Sequence, residues 1–285
     1  MIDPFKIDSP TCISFSGGRT SAYMLWRVLQ SHQMSLPDEC VVAFANTGLE
    51  AEETLQFVRD CGKYWEVPIV WVEYRNDDAG FAIVNFDTAS RNGEPFKAIC
   101  DKRQYLPNPV TRFCTVELKI RIIAKLLKSL GMLQDVADMM IGIRADEPRR
   151  VAKMRKGTNS ESSKISNCVP LADAGVSVGD VGAFWDAQPF SLNLPSRNGR
   201  TTAGNCELCF LKPSAQVMSL IREKPSRAIW WVEVEVEAEA RSSKPSGARF
   251  RSDRPSYARM LQYAIDQVDA FGHDDSEAIA CFCGD

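Results

Sequence analysis

The stretch Thr11–Trp26 constrains the fold most, because it joins an apolar run, a glycine turn and a helical pattern without interruption. Thr11–Phe15 has the pattern of a short buried strand, Gly17 and Gly18 break it, and apolar residues then recur with helical spacing as far as Leu29. A helix that starts there exposes backbone N–H groups without intrahelical partners, and its dipole adds partial positive charge. The stretch therefore predicts a strand, a turn and a helix with an anion site between them.

The residues of this turn suit a phosphate group. Two glycines allow a sharp turn and let a phosphate approach the backbone without a Cβ in the way. Hydroxyl groups and one guanidinium add hydrogen-bond donors. The expected phosphate contacts are Ser16, Gly17, Gly18, Arg19, Thr20 and Ser21. A strand-to-helix turn capped by serine is the simpler alternative for the two glycines alone.

Strands and helices continue to alternate after this unit. The expected order is a strand at Cys40–Ala45, a helix at Glu50–Cys61, a strand at Pro68–Val72, a helix at Val116–Leu130 and a strand at Met139–Ile143. Such alternation predicts βαβ units and a parallel sheet. Ligands of these sheets bind beyond the carboxyl ends of the strands. Ser16, Asn46 and the segment after Val72 should therefore lie along one edge.

The remaining segments have weaker patterns. Residues 74–113 are polar and punctuated by proline and glycine, with Phe81–Val84 as a candidate short strand, and are expected to form an insertion. Lys153–Asn167 is rich in serine, lysine and glycine and is expected to be a loop. Helices are expected at Val178–Trp185, Ser214–Arg222, Ser226–Ala240 and Tyr257–Val268, with a basic linker at 241–253. The alternating Val and Glu residues after Trp231 also fit a strand, so both alternatives stay open there.

Charge, hydrophobicity and cysteine content limit the compartments and the classes of partner that we expect for this protein. A net charge of −3 gives no overall attraction to nucleic acid or an anionic membrane, although the basic segments 149–164 and 241–254 keep nucleic acid open as a partner. The first residues do not resemble a signal peptide, and no apolar run approaches the roughly 20 residues that span a bilayer. Ten cysteines in such a chain favour reduced thiols, metal binding or catalysis over disulfides. We expect a cytoplasmic protein without a membrane partner.

Five segments, in order, resemble one known family. Ser16-Gly17-Gly18-Arg19-Thr20-Ser21 resembles the SGGxxS signature of the PP-loop ATP pyrophosphatases and the related sulfonucleotide reductases, and it is not a Walker A loop. Ala45–Thr54 is similar to the DTG…ET segment of phosphoadenosine phosphosulfate reductases, with Asn46 where the family usually has Asp. Gly142–Glu147 is similar to the family's G-R-A-D-E-S segment. Val169–Ala172 with Gly179–Phe184, and then Gly204–Cys209, resemble its P-L…D-V-W-x-Y-I and CxxC regions.

On these segments, which cover residues 11–210, the chain is identified as a member of the phosphoadenosine phosphosulfate (PAPS) reductase family. The family belongs to the PP-loop, adenine nucleotide alpha hydrolase-like superfamily. The resemblance implies a Rossmann-like (HUP-type) α/β fold, a parallel sheet flanked by helices with a C-terminal, mostly helical appendage. The expected domains are a nucleotide-binding domain at 1–210, with an insertion at about 74–113, and a C-terminal helical region with a cysteine-containing tail at 211–285.

The resemblance also implies roles for particular residues. Asn46, Thr47 and Gly48 are expected near the adenosine of the nucleotide. The position of Arg144 and Arg149 after a predicted strand, on the same rim as the glycine turn, suggests that they clamp an anionic substrate, with Arg144 also counted as catalytic. An exposed charged loop with internal ion pairs is the alternative. Asp146 and Glu147 are expected either to hold Mg²⁺ or to order these arginines.

Four cysteines are candidate metal ligands. Cys206 and Cys209 have metal-ligand spacing, but two more ligands are needed. Cys114 resembles the cysteine ahead of the helix in iron–sulfur sulfonucleotide reductases, although Phe113 replaces the second cysteine of their adjacent pair, and Cys100 is the candidate for the fourth ligand. Four thiolates suit a 4Fe–4S cluster or a Cys₄ zinc site. A redox CxxC or simply buried thiols remain the alternatives.

The tail, Cys283-Gly284, resembles the mobile E-C-G-[LI]-H end of sulfonucleotide reductases, without its Glu or its Leu-His. The resemblance implies that Cys283 attacks the sulfur of PAPS or adenosine 5′-phosphosulfate (APS), and that an external thiol such as thioredoxin resolves the product. In the alternative chemistry, the enzyme cleaves ATP with Mg²⁺ and adenylates a base or nucleic acid for sulfur transfer, as in DNA phosphorothioation and tRNA thiolation. A non-catalytic nucleotide-sensing or DNA-binding protein is the third hypothesis.

Overall fold

The computed structural model describes residues 3–156, 163–197, 200–241 and 247–266. Within these residues, six strands form a sheet in the order β4-β3-β2-β1-β5-β6. The strands are β1 (Thr11–Ser14), β2 (Cys40–Asn46), β3 (Ile69–Tyr74), β4 (Phe81–Val84), β5 (Ala137–Ile141) and β6 (Ile165–Cys168). All neighbours run parallel except the edge strand β4, which is antiparallel to β3. The predicted Rossmann-like α/β fold is confirmed.

Helices flank the sheet. They are α1 (Arg19–Ser31), α2 (Glu52–Tyr64), α3 (Glu94–Arg103), α4 (Phe113–Thr115), a π-helical turn at Val116–Ile120, α5 (Arg121–Ser129), α6 (Pro148–Lys156), α7 (Pro170–Asp173), α8 (Val178–Asp186), α9 (Ser214–Glu223), a 3₁₀ turn at Pro225–Ala228, α10 (Ile229–Arg241) and α11 (Tyr257–Ile265). A small hairpin pairs β7 (Ser196–Arg197) with β8 (Arg200–Thr201). In the described ranges, no helix combines the length and the apolar character needed to cross a membrane.

The central strand β1 is buried on both faces, as a parallel strand covered by helices must be. Cys12 and Ile13 are fully buried, and Ile13 pairs with Val42 on one side and Met140 on the other. Each such apolar side chain contributes about 1.5–3 kcal/mol when it leaves water. This register brings the ends of β1, β2 and β5 to one edge of the sheet, where the glycine turn begins.

One expectation for the middle of the chain is wrong, and the strand expected at Phe81–Val84 is confirmed. The described part of the predicted loop at Lys153–Asn167 contains the end of α6 and most of β6, because Val151 and Met154 bury an apolar face that the serine and lysine content hides. The insertion at 74–113 contains β4 as predicted and also α3, whose buried face includes Phe96.

The C-terminal region packs into the same apolar cluster as the sheet. The segment after Trp231 is helical, since Trp231, Val234 and Ala238 recur with helical spacing on its buried face. The described part of the predicted 241–253 linker is packed rather than free, because Phe250 is fully buried against the Trp231 ring.

Candidate functional site

The glycine turn has a backbone that requires glycine at its centre. Gly17 has a φ of +79°, and a Cβ there would lie 2.7 Å from Cγ2 of Thr54. Gly18 is the N-cap of α1 and offers no side-chain cap. The Ser21 hydroxyl accepts from the Ser16 N–H at 3.2 Å and donates to the Gly18 carbonyl at 3.0 Å. The turn is therefore closed from within, and the free N–H groups expected at a helix start face outward.

Helix α8 fixes the start of α1. The Trp185 indole donates to the Arg19 carbonyl at 2.9 Å, and the rings of Tyr23 and Phe184 lie 4.9 Å apart. Among the described residues, Nε of Arg19 is buried without a hydrogen-bond partner. The Gly179–Phe184 segment thus supports the turn, and Arg19 is held beside it.

Arg144, which follows β5, reaches the first turn of α1. It is 7% exposed, and its Nη1 donates to Oγ1 of Thr20 at 3.1 Å. Asp146 accepts from Nε of Arg144 at 2.9 Å, and Glu147 accepts from its backbone N–H at 3.1 Å. These two carboxylates order the arginine, which was one of the two roles expected of them.

The second arginine of this cluster is Arg150 rather than Arg149. Arg149 is exposed on α6, whereas Arg150 forms an ion pair with Glu147. In the described ranges, Nη2 of Arg150 is buried without a hydrogen-bond partner. The spacing of Arg150 three residues after Glu147 on a helix was the signal that could have identified it.

Asn46 organises the turn after β2. It is fully buried, and its amide donates to Oε1 of Glu73 at 2.6 Å and to the Ser90 carbonyl at 2.9 Å. Its carbonyl oxygen accepts from the Gly48 N–H at 3.1 Å. Glu73 is also fully buried and pairs with Arg75 at 2.8 Å. The Asn46 side chain therefore holds the Thr47-Gly48 turn to β3 and to the insertion.

The CxxC segment lies against this same turn. Thr47 binds the Glu50 carboxylate through its N–H and its hydroxyl, each at 2.9 Å, and its Oγ1 is 3.4 Å from Sγ of Cys206. Glu50 and Cys206 form an isolated β-bridge, and Nζ of Lys119 lies 4.0 Å from the Glu50 carboxylate. The second and fifth family-like segments are therefore neighbours in space.

The C-terminal region fixes the CxxC loop from the other side. The Lys212 ammonium donates to the carbonyls of Gly204, Cys206 and Glu207 at 2.8, 3.1 and 2.7 Å. The Tyr257 hydroxyl donates to the Leu208 carbonyl at 2.6 Å, and its burial raises its pKa. The C-terminal region therefore binds the loop through its main-chain carbonyls.

The four candidate metal ligands are all among the described residues, and the Cys209 N–H donates to the Cys206 carbonyl at 3.1 Å. Burial raises the pKa of the Cys206 thiol, and the neighbouring Glu50 and Cys209 add to this shift. Burial, and next the nearby Cys114, raise the pKa of the Cys100 thiol. In the part of the chain that the structure describes, no group of three or more His, Cys, Asp or Glu side chains is arranged to hold a metal ion. A four-thiolate centre stays a prediction.

A small cavity separates the glycine turn from the segment before Cys206. Gly17 and Thr54 line one side of it, and Thr201 and Asn205 line the other. Its volume of about 10 Å³ is room for about one water molecule.

The expected nucleophile Cys283 lies outside the described residues.

The sheet order and the glycine turn at its carboxyl edge define a Rossmann-like α/β protein with a candidate anion site. The chain belongs to the family of the uncharacterized nin region protein of Escherichia phage lambda, with 30% identity over 212 residues, which are 72% of this chain and 67% of the phage protein. An uncharacterized protein of Methanocaldococcus jannaschii is 27% identical over 167 residues, which are 58% of this chain and 29% of the archaeal protein. No protein-family model matches the chain.

Proposed function

We propose that this chain is a PP-loop enzyme of the PAPS reductase type, which binds the phosphate end of an adenine nucleotide at Ser16–Ser21. The observation that supports this best is the hydrogen bond between Arg144 and Thr20, two residues that are 124 positions apart in the chain. It joins two family-like segments at the first turn of α1. A buried guanidinium beside a helix N-terminus favours an anionic ligand.

The charges around Arg144 indicate which groups add affinity for the anion. Asp146 and Glu147 offset the charges of Arg144 and Arg150, with which they form ion pairs. The surplus positive potential comes from the start of α1 and from Arg19, whose buried Nε has no hydrogen-bond partner within the described residues. The nucleotide phosphates would bind there, with the adenosine beside the Thr47-Gly48 turn.

The first candidate reaction is the thiol-dependent reduction of a sulfonucleotide such as PAPS or APS. The Cys283 thiolate attacks the sulfur atom, an S–S bond forms, and the S–O bond to the nucleotide phosphate breaks. The nucleotide leaves, and the enzyme retains a thiosulfonate. An external thiol of the thioredoxin type then attacks the cysteine sulfur, which releases sulfite and yields a disulfide. A 4Fe–4S cluster or zinc at Cys100, Cys114, Cys206 and Cys209 remains part of the proposal without a step assigned to it.

The exposed basic face of α6 favours a second candidate reaction, which acts on nucleic acid. Arg149, Lys153 and Lys156 are exposed on the helix that follows the arginine cluster directly. A small sulfonucleotide does not need such a face, whereas a nucleic acid backbone does. In this version the enzyme cleaves ATP with Mg²⁺ between the α and β phosphates and adenylates a base or nucleic acid for sulfur transfer.

A product assay separates the two reactions. With APS or PAPS and a dithiol, we expect sulfite release that is lost in Cys283→Ser and kept in Cys281→Ser, the matched control two residues away. AMP and pyrophosphate from ATP with Mg²⁺ would establish the adenylating reaction instead. Nucleotide binding without either product would contradict both reactions and favour a nucleotide sensor.

A further inference from the structure

We infer that Thr54, in the first turn of α2, donates a hydrogen bond to a phosphoryl or sulfuryl oxygen of the bound nucleotide. This inference rests on the proposed nucleotide site and extends it beyond the Ser16–Ser21 motif. It makes the small cavity beside Gly17 part of the ligand site.

The position of Thr54 is set by close packing against the glycine turn. Its Cγ2 lies where a Cβ on Gly17 would approach to 2.7 Å, and the same glycine position is bounded by Phe44 and Val58. Thr54 is 2% exposed and lines the cavity together with the backbone of Gly17 and Gly18. The methyl group of Thr54 therefore packs against the glycine turn, and the residue lines the cavity beside it.

The hydroxyl of Thr54 is the polar group on which this inference depends. Its Oγ1 is buried and, in the part of the chain that the structure describes, has no hydrogen-bond partner. A buried hydroxyl left without a partner costs about 1–3 kcal/mol. This free-energy cost would be offset if a ligand oxygen accepted the hydrogen bond. Because Thr54 lies beside the proposed phosphate-binding turn, we take a ligand oxygen as its partner.

The polar groups that line the cavity are suited to binding an oxyanion. Besides Thr54, its polar side chains are the hydroxyls of Ser16 and Thr201 and the amide of Asn205, and none of the lining residues is acidic. Hydroxyl and amide donors bind phosphate or sulfate oxygens without the repulsion that a carboxylate would add. Because the cavity holds about one water molecule, the Thr201–Asn205 wall must shift outward when a larger group enters.

The test compares Thr54→Val, which replaces the hydroxyl by a methyl group of similar size, with Thr54→Ser, which keeps the hydroxyl. Affinity is measured by calorimetry with APS and with α,β-methylene-ATP, which cannot be cleaved between the α and β phosphates. We expect Thr54→Val to bind its nucleotide about tenfold more weakly, as befits a lost hydrogen bond to a charged group, and Thr54→Ser to stay within threefold of the wild type. Unliganded Thr54→Val should unfold at a temperature equal to or higher than that of the wild type, because an unsatisfied group is removed.

Equal affinity of Thr54→Val and the wild type would overturn this inference and leave the nucleotide site in place. A loss of affinity accompanied by a lower unfolding temperature would also overturn it, since Thr54 would then act through the packing of the turn. If the wild type binds neither nucleotide, the proposed function itself fails.

Discussion

Asn46→Asp should destabilise the protein by about 3 kcal/mol at neutral pH, which is the range for an uncompensated buried charge. Asn46 and Glu73 are both fully buried, and the Asn46 amide lies 2.6 Å from the Glu73 carboxylate. The substitution would remove a donor and place two carboxylates in contact, while Arg75 supplies one positive charge for the pair. Urea unfolding at pH 7 measures the difference in the free energy of unfolding.

The matched control is the double variant Asn46→Asp/Glu73→Gln. The glutamine amide can donate to the new carboxylate, so we expect a partial recovery of stability. The hydrogen bond from Asn46 to the Ser90 carbonyl stays lost in both variants. An Asn46→Asp variant as stable as the wild type would show that this network does not hold the turn after β2. The pairing with Glu73 also gives a physical reason for an amide rather than a carboxylate at position 46.

Arg144→Ala should weaken nucleotide binding by about a hundredfold, which corresponds to the loss of charge-assisted hydrogen bonds to a phosphate. Arg144→Lys should recover only part of the affinity, because a lysine cannot donate to Thr20 and to a phosphate in the same fork geometry. The comparison is a calorimetric titration of each variant with α,β-methylene-ATP and APS.

Arg149→Ala is the control for this prediction. Arg149 lies on the exposed face of α6, so its loss should change the affinity less than threefold. Equal losses for Arg144→Ala and Arg149→Ala would mean that the arginines act through general charge rather than through a built site. Circular dichroism of Arg144→Ala must show a folded chain, because the variant leaves Asp146 without its ion pair.

The sheet and the glycine turn were predictable because local patterns determine them. The apolar runs at β1, β2, β3 and β5 are short and bounded by turn residues, and the parallel order follows from the helices between them. The break at Gly17-Gly18 marks the turn because Gly17 has a φ of +79°, which residues with a side chain rarely adopt.

Other features depend on contacts that no local pattern contains. The i,i+3 spacing to Glu147 favours Arg150 over Arg149 only once residues 148–156 are known to form α6, and no local pattern predicted that helix. The partners of the Asn46 amide, Glu73 on β3 and the Ser90 carbonyl in the insertion, are distant in sequence and could not be predicted from local patterns. Thr54 ends the Ala45–Thr54 segment, but nothing in the sequence indicates a role for it. Its hydroxyl is recognised as unsatisfied only from the packing of α2 against Gly17.

Hydrogen–deuterium exchange with and without nucleotide tests the central claim most directly. With saturating APS or α,β-methylene-ATP, we predict slower exchange in peptides that cover Ser16–Ser21 and the segment around Arg144, because phosphate oxygens would accept from the N–H groups at the start of α1. Peptides of the exposed edge strand β4 serve as the internal reference and should not change. Nucleotide binding that leaves the Ser16–Ser21 amides unprotected would contradict the assignment of this turn as the phosphate site.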